Sequence, residues 1–354
     1  MSTFPPSPAR LALQEEASKR ILVFDGAFGT QIQDRKLTEA DFAGELGLNA
    51  DQKGNNDILA LTRPDVIADI TRAYLKAGSD VVSTNTFSAN SISQADYAAE
   101  DKVRDINIAS GHIARDVADE FSAQDGRPRF VAGAIGPTNK TLSLSPDVED
   151  PGYREIDFDT LTAVYLEQAE ALVEGGADFI LIETIFDTLN AKAGIMAVRQ
   201  LEQKLGRDVP IMLSMTLTDL SGRNLSGHTV EAFWNAVRHA DPVTIGLNCS
   251  FGADQLRPHV QLLSDIADTL LLAYPNAGLP NELGEYDELP HTTAGLVKQW
   301  AENGRVNILG GCCGSSPDHI KAIAEAVRGL PPRNLPEKDT KMRLAGLEPF
   351  TIAA

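Results

Sequence analysis

Residues Asp157–Thr184 read DFDTLTAVYLEQAEALVEGGADFILIET, an amphipathic run closed by Gly175-Gly176 and followed at once by a short, almost wholly apolar one. The first run has the length and period of a helix, with glycine just past its end. The second has the length of a strand, and continuous apolarity marks a strand buried on both faces. A helix that leads straight into such a strand is part of a repeating βα pattern. The pattern recurs in both directions, with strands expected at Arg20–Asp25, Asp80–Thr86, Arg129–Gly136, Asp178–Thr184, Val209–Thr216, Pro242–Cys249, Thr269–Asn276 and Asn307–Gly311. Arg63-Pro64-Asp65 opens a helix that ends at Gly78, and Ser316-Pro317-Asp318 opens the last one. Eight such pairs in order, with no long unpatterned break, favour a single α/β domain of the (β/α)8 TIM-barrel type over a doubly wound open sheet.

The first three units exceed the roughly 31 residues that an eighth of a plain barrel needs. Insertions are therefore expected in the loops after strands 1 and 3, at Gln31–Leu61 and Thr138–Asp157. Both lie at the carboxyl ends of strands, where barrels of this kind carry their active sites. The chain divides into an N-terminal extension (1–19), the barrel (20–330) and a C-terminal tail (331–354). Met1–Pro8, rich in Pro and Ser, and Pro331–Ala354 both read as peripheral, the second as linker-like.

The 354 residues are 43% hydrophobic, 6% aromatic and 23% charged, which predicts a sizeable core. Fifty acidic against thirty-one basic residues give a net charge of -19, which disfavours nucleic acid and anionic membrane partners. Apolar runs such as Phe179–Ile182 and Leu270–Ala273 fall far short of the roughly 18 residues a membrane span needs, and Met1–Arg20 lacks the apolar core of a signal peptide. A cytoplasmic location is the expectation. Three cysteines are an odd number without framework spacing, so free or metal-bound thiols are expected rather than disulfide staples.

Polar residues collect where a barrel would place its site. Strand 1 ends in Asp25-Gly26-Ala27-Phe28-Gly29, strand 2 in Thr84-Asn85-Thr86, strand 4 in Glu183-Thr184, strand 6 in Asn248-Cys249-Ser250, strand 7 in Asn276-Ala277-Gly278 and strand 8 in Gly310-Gly311-Cys312-Cys313-Gly314. All three cysteines thus fall at one rim. Thiolates suit Zn²⁺, and three of them leave one tetrahedral position open, the stoichiometry of a catalytic site. Vicinal cysteines in a regular strand point to opposite faces, so both reach one metal only if the chain turns, which the flanking glycines permit. The alternative is a buried Cys249 and a packed or disulfide-bonded Cys312-Cys313 pair. Asp25 before a glycine-rich turn suits a site where backbone N–H groups approach a carboxylate ligand, or is a plain strand-to-loop turn. Glu183 could hold a substrate ammonium or pair with a neighbouring loop. Asn85, Asn248 and Asn276 could orient a ligand or cap turns, and Asn276 gains weight from its place between the two cysteine strands. The histidines form no ligand pattern, and His228, His239, His259, His291 and His319 are expected in surface roles. Nucleotide-binding glycine loops and the G-x-S-x-G nucleophile elbow are missing.

Taken together, Asp25-Gly26-Ala27-Phe28-Gly29-Thr30, Thr84-Asn85-Thr86-Phe87, Gly136-Pro137-Thr138-Asn139, Leu181-Ile182-Glu183-Thr184, Gly246-Leu247-Asn248-Cys249 and Gly310-Gly311-Cys312-Cys313-Gly314 resemble the zinc-dependent homocysteine S-methyltransferases. The similarity runs from about Arg20 to Arg333. It is narrower still to the homocysteine-binding amino-terminal module of cobalamin-dependent methionine synthases. The resemblance implies one zinc per chain on Cys249, Cys312 and Cys313, with the substrate thiolate in the fourth position. Asp25, Gly26 and Glu183 would hold the amino-acid end of homocysteine, with Asn85 a further candidate contact, and Asn276 would complete the zinc shell before substrate arrives. Phe28 stands where methionine is frequent, and Ser83 where glutamate often precedes Thr-Asn-Thr.

Leu344–Phe350 resembles the connector that leads into a folate-binding module, which implies a partner chain carrying folate- and cobalamin-binding modules, with methylcobalamin reached only through that partner. The resulting expectation is methionine formation from homocysteine, with methyl from methylcobalamin or methyltetrahydrofolate on the partner. A stand-alone enzyme using betaine or S-methylmethionine is one alternative. A non-catalytic zinc-bearing scaffold subunit is the other.

Overall fold

The computed structural model describes residues 4–338 and 340–352; expectations for residues 1–3, 339, 353 and 354 lie outside the described residues. Eight parallel strands form one sheet: β1 (Leu22–Val23), β2 (Val81–Ser83), β3 (Phe130–Ile135), β4 (Phe179–Ile185), β5 (Ile211–Met215), β6 (Thr244–Gly252), β7 (Leu270–Asn276) and β8 (Ile308–Leu309). Their order is β1-β8-β7-β6-β5-β4-β3-β2, and a parallel bridge between Phe24 and Val81 joins the two outer strands. The result is the expected (β/α)8 barrel. Each expected strand is present but most are shorter, because the ladder ends where the rim turns begin.

Long helices alternate with the strands: α1 (Pro8–Lys19), α2 (Pro64–Ala77), α3 (Val103–Asp125), α4 (Phe158–Glu174), α5 (Thr188–Leu205), α6 (Val230–Val237), α7 (Ala253–Ile266), α8 (Pro290–Glu302) and α9 (Pro317–Val327). The sequence signals work as read. Proline opens α2 and Gly78 closes it at φ +115, a left-handed conformation open to glycine at no steric cost. The Asp157 carboxylate accepts from Thr160 N at 2.7 Å and caps α4.

Period-two alternation divides the core. Leu22, Phe24, Phe179, Leu181, Met212, Leu272 and Tyr274 belong to the cluster that fills the barrel, whereas Val23, Ile180, Ile182, Leu213, Ile245 and Leu247 pack outward beneath the helices. Continuing the same alternation upward carries Glu183, Ser214 and Asn248 into the lumen at its carboxyl end.

The parts outside the eight regular units depart from their sequence reading. The described part of Met1–Pro8 is largely exposed, but the rest of the N-terminal extension is built into the barrel: Leu13 and Ala17 of α1 are fully buried in the barrel cluster, and Arg10 is locked to Asp208 at 3.0 Å, so α1 plugs the amino end of the lumen. The expected insertion after β1 is present and holds short helices at Phe28–Asp34, Glu39–Ala43, Asn56–Ile58 and Leu59–Thr62. A further insertion follows β2, where residues 84–102 include a helix at Ser91–Gln94; residues 138–157 after β3 carry no helix or strand, as expected of a loop. The tail is not a bare linker. Its strands β9 (Arg343–Ala345) and β10 (Pro349–Thr351) pair antiparallel and pack on α6, with Asn235 Nδ2 donating to Leu344 O at 3.4 Å.

His319 departs from its expected surface role. It is buried, shares the cap of α9 with Ser316, and its Nε2 lies 2.8 Å from Glu288 O. No helix among the described residues is long and apolar enough to cross a membrane.

Candidate functional site

The carboxyl end of the barrel opens into a cavity of about 560 Å³ lined by Asp25, Gly26, Asn85, Glu183, Cys249, Cys312 and Cys313, with Phe28, Phe87 and Tyr97 toward its mouth. No Lys, Arg or His lines it among the described residues. A larger hollow of about 690 Å³ lies at the amino end, but there Arg10 and Arg238 are engaged by Asp208 and Asp268, and no cysteine lines it among the described residues.

Backbone turns bring the cysteines together. Cys249 and Ser250 have φ of 61° and 60°, left-handed conformations rare outside glycine, which swing Cys249 out of the strand alternation. Thr184, beside Glu183, has φ 54°. Three of the six non-glycine residues with positive φ among the described residues therefore stand at this rim, where strain is commonly stored for function. Beyond β8 the chain is stitched to β7: Cys312 N donates to Pro275 O at 2.8 Å and Ala277 N to Cys313 O at 2.9 Å. Gly314 completes the turn at φ +77. Gly26 is required for a different reason, since a Cβ there would sit 2.8 Å from the Tyr74 ring. The Tyr74 hydroxyl lies 2.8 Å from Ala27 O and 3.1 Å from Ser315 O, between the Asp25 turn and the cysteine turn.

The three sulfurs all lie within 4.8 Å of one another, and Cys249 Sγ is 3.7 Å from Cys313 Sγ. Four ligands at the usual Zn–S length of about 2.3 Å in a tetrahedron put sulfurs about 3.8 Å apart, so the donor set fits a zinc ion. Proton affinities agree with that fit. Hydrogen bonds from Cys249 and Cys312 hold the Cys313 thiol down to about 3. Cys312 is raised by its hydrogen bonds to the other two thiols and by burial. Cys249 ends at about 11, as its Cys312 hydrogen bond, which lowers it, is outweighed by the Cys313 bond and burial. Thiols this close cannot all ionise together unaided; three thiolates require a cation to displace the remaining protons.

Asp25 and Glu183 face the same cavity. Asp25 Oδ2 accepts from Ser83 N at 2.7 Å and from Ser83 Oγ at 2.9 Å, while Oδ1 is buried without a partner. Burial lifts Asp25 to about 7 against those hydrogen bonds. Glu183, also raised to about 7 by burial, accepts from the Tyr274 hydroxyl at 2.9 Å. No basic side chain neutralises either, so the pair can receive a ligand's positive charge. Asn85 lines the cavity with its Nδ2 donating to Asn56 O at 2.7 Å. Asn276 is buried behind the cysteine turn, its Oδ1 accepting from Cys313 N at 3.1 Å.

Tyr274, Asp57 and the central place of Asn248 are evident only in the structure. A tyrosine within the apolar run Leu270–Tyr274 is a weak signal for the first. Asp57 is buried in the cavity wall, accepts from Ser88 N at 3.1 Å, and is raised to about 7 by burial. Nothing in its sequence surroundings announces that.

The homocysteine S-methyltransferase family model matches residues 22–327. Among solved structures, the homocysteine methyltransferase MmuM from Escherichia coli is similar in its oxidized form, at TM-score 0.70 and 21% identity over 90% of this chain and 99% of that one. Its metallated form gives 0.69 at 22% identity with the same coverage. At this identity the likeness is one of fold.

Proposed function

The chain belongs to the homocysteine S-methyltransferase family, and from that premise we propose that it presents homocysteine as a thiolate for methylation to methionine. The observation that carries the reading is the gathering of Cys249, Cys312 and Cys313 in one cavity with Asp25 and Glu183. In this reading the three cysteines hold one zinc ion, which supplies the cationic charge that keeps a bound thiol deprotonated at neutral pH, where a free thiol is mostly protonated. Glu183, oriented by Tyr274, receives the substrate ammonium. Asp25, held by Ser83, shares that charge, while the turn at Gly26 gives the backbone close approach to the substrate carboxylate. Asn85 contributes to the wall, and Asn276 steadies Cys313 and is the candidate fourth zinc ligand before substrate binds. The substrate sulfur then attacks the donor's methyl carbon, forming the S–CH3 bond as the bond to the donor breaks. No general base is needed.

The methyl group in this reading comes from methylcobalamin or methyltetrahydrofolate modules on a partner chain. The resemblance of Leu344–Phe350 to a connector that leads into a folate-binding module supports that choice. Incubating the zinc-loaded protein and homocysteine with excess free methylcobalamin, standing in for the partner chain, or with betaine or S-methylmethionine tests it. Methionine from methylcobalamin alone is the expected result. Turnover of betaine or S-methylmethionine would replace the donor assignment, and failure to bind homocysteine would leave a scaffold subunit.

A further inference from the structure

Asn248 is fully buried, and all four hydrogen-bonding positions of its side-chain amide are taken. Oδ1 accepts from Ser214 Oγ on β5 at 2.7 Å and from Thr184 N on β4 at 3.2 Å. Nδ2 donates to Thr184 Oγ1 at 2.9 Å and reaches Cys312 Sγ at 3.9 Å, within range of an N–H···S hydrogen bond. The orientation is not free to flip. A backbone N–H only donates, so the atom facing Thr184 N must be the oxygen, and the amino group must then face Cys312.

This one side chain touches both halves of the site. Thr184 follows Glu183 and is held at φ 54° by its two bonds to Asn248; Cys249, the next residue in the chain, turns away at φ 61°. Tyr274, which orients Glu183, stands opposite Asn248 in the β6–β7 register. A dipole aimed at one of three clustered thiolates also offsets part of their mutual repulsion, as partners behind metal ligands generally do.

Resting on the zinc reading above, we propose that Asn248 is a positioning residue: it donates an N–H···S hydrogen bond to the Cys312 thiolate and, through Thr184, fixes Glu183 at a set distance from the metal centre. The cysteines and Glu183 then act as one unit.

Cobalt(II)-substituted protein gives a readout independent of turnover, through its thiolate-to-cobalt charge-transfer band. Read at a pH high enough to ionise the new carboxyl, Asn248→Asp is isosteric but presents an acceptor to Cys312. Loss of the hydrogen bond raises the sulfur donor orbital, so the band should move to longer wavelength, with metal affinity weaker by about 10- to 100-fold and a higher homocysteine KM. Ser214→Ala removes a partner of Oδ1 but leaves the N–H···S bond, and should leave the band in place. An unmoved band in Asn248→Asp, or an equal shift in Ser214→Ala, overturns the proposal. Should Asn248→Asp fail to fold, cadmium-113 protein of unaltered sequence decides: scalar coupling between the metal and an Asn248 side-chain proton supports the bond, and its absence refutes it. A folded protein of unaltered sequence with no charge-transfer band refutes the zinc reading itself, a result distinct from either.

Discussion

The Tyr274 hydroxyl on β7 donates to Glu183 Oε2 on β4 at 2.9 Å, so a buried phenol from one strand aims a carboxylate on another toward the cavity. Glu183→Gln keeps the shape and removes the charge. Homocysteine affinity should fall about 10- to 100-fold, corresponding to the roughly 1.5–3 kcal/mol of a charged hydrogen bond, while zinc content stays stoichiometric. Because Glu183 sits at about 7, affinity in the protein of unaltered sequence should also weaken as pH drops through 7 and the carboxylate takes up a proton. Tyr274→Phe should move that midpoint upward. Calorimetric titration across pH measures all three.

Cys249→Ala, Cys312→Ala and Cys313→Ala should each lose stoichiometric zinc and methyl transfer yet keep the barrel, because the thiols stand at the rim above the packed layers. Metal analysis beside a thermal melt checks this. Normal zinc content in any of them would refute its assignment as a ligand.

Binding of homocysteine near neutral pH should release about one proton from the thiol, shrinking as pH rises through about 8.5 and vanishing in the metal-free protein. Glu183 adds to this: at about 7 it is near half-protonated, and pairing with the ammonium expels up to about half a proton more. Release in Glu183→Gln should therefore be lower but remain near one. Titration in buffers of different ionisation enthalpy separates the shares, and binding at pH 7 without proton release would exclude thiol activation.

Asp57 is buried without a cation and raised to about 7. Between about 4 and 7 the folded chain keeps a proton that the unfolded chain has lost, so this residue's contribution to stability falls as pH rises through that window. Asp57→Asn can still accept from Ser88 N and should raise stability at pH 8 by at most about 4 kcal/mol. The gain should fade toward pH 4. Denaturation midpoints at several pH values measure it; a gain that does not depend on pH would place the effect in packing instead.

Leu13→Ala in the plug helix α1 should cost about 2–5 kcal/mol, the range for a fully buried leucine, and leave zinc binding intact. Urea denaturation followed by metal analysis tests both parts. A loss below 1 kcal/mol would show that α1 adds little to the barrel's stability.

Much of the fold is legible along the chain because its signals are local. Gly78 after an amphipathic run and Asp157 before one act within a turn, so they can be read without knowing what packs against them. The apolar strands Phe179–Ile182 and Leu270–Ala273 likewise announce burial on both faces. The places of helix α1 and the β9–β10 hairpin are not legible along the chain, because their weakly patterned residues gain burial or pairing only from distant partners. Arg10 meets Asp208 nearly two hundred residues away, and Leu344 meets Asn235.

The site divides the same way. Its residue types and their convergence on one rim follow from strand order, so Cys249, Cys312, Cys313, Asp25 and Glu183 could be named as candidates from the chain alone. Whether three sulfurs come within reach of one ion depends on left-handed turns at Cys249 and Ser250 and on bonds from the β8 loop to Pro275 and Ala277, which no local pattern encodes. The same holds for the raised carboxyls and for the saturated amide of Asn248. A pKa follows from what surrounds a group, and an amide's orientation from which donors face it. Sequence determines the inventory at the rim, while distance, desolvation and hydrogen-bond direction arise only when strands remote along the chain close into a barrel.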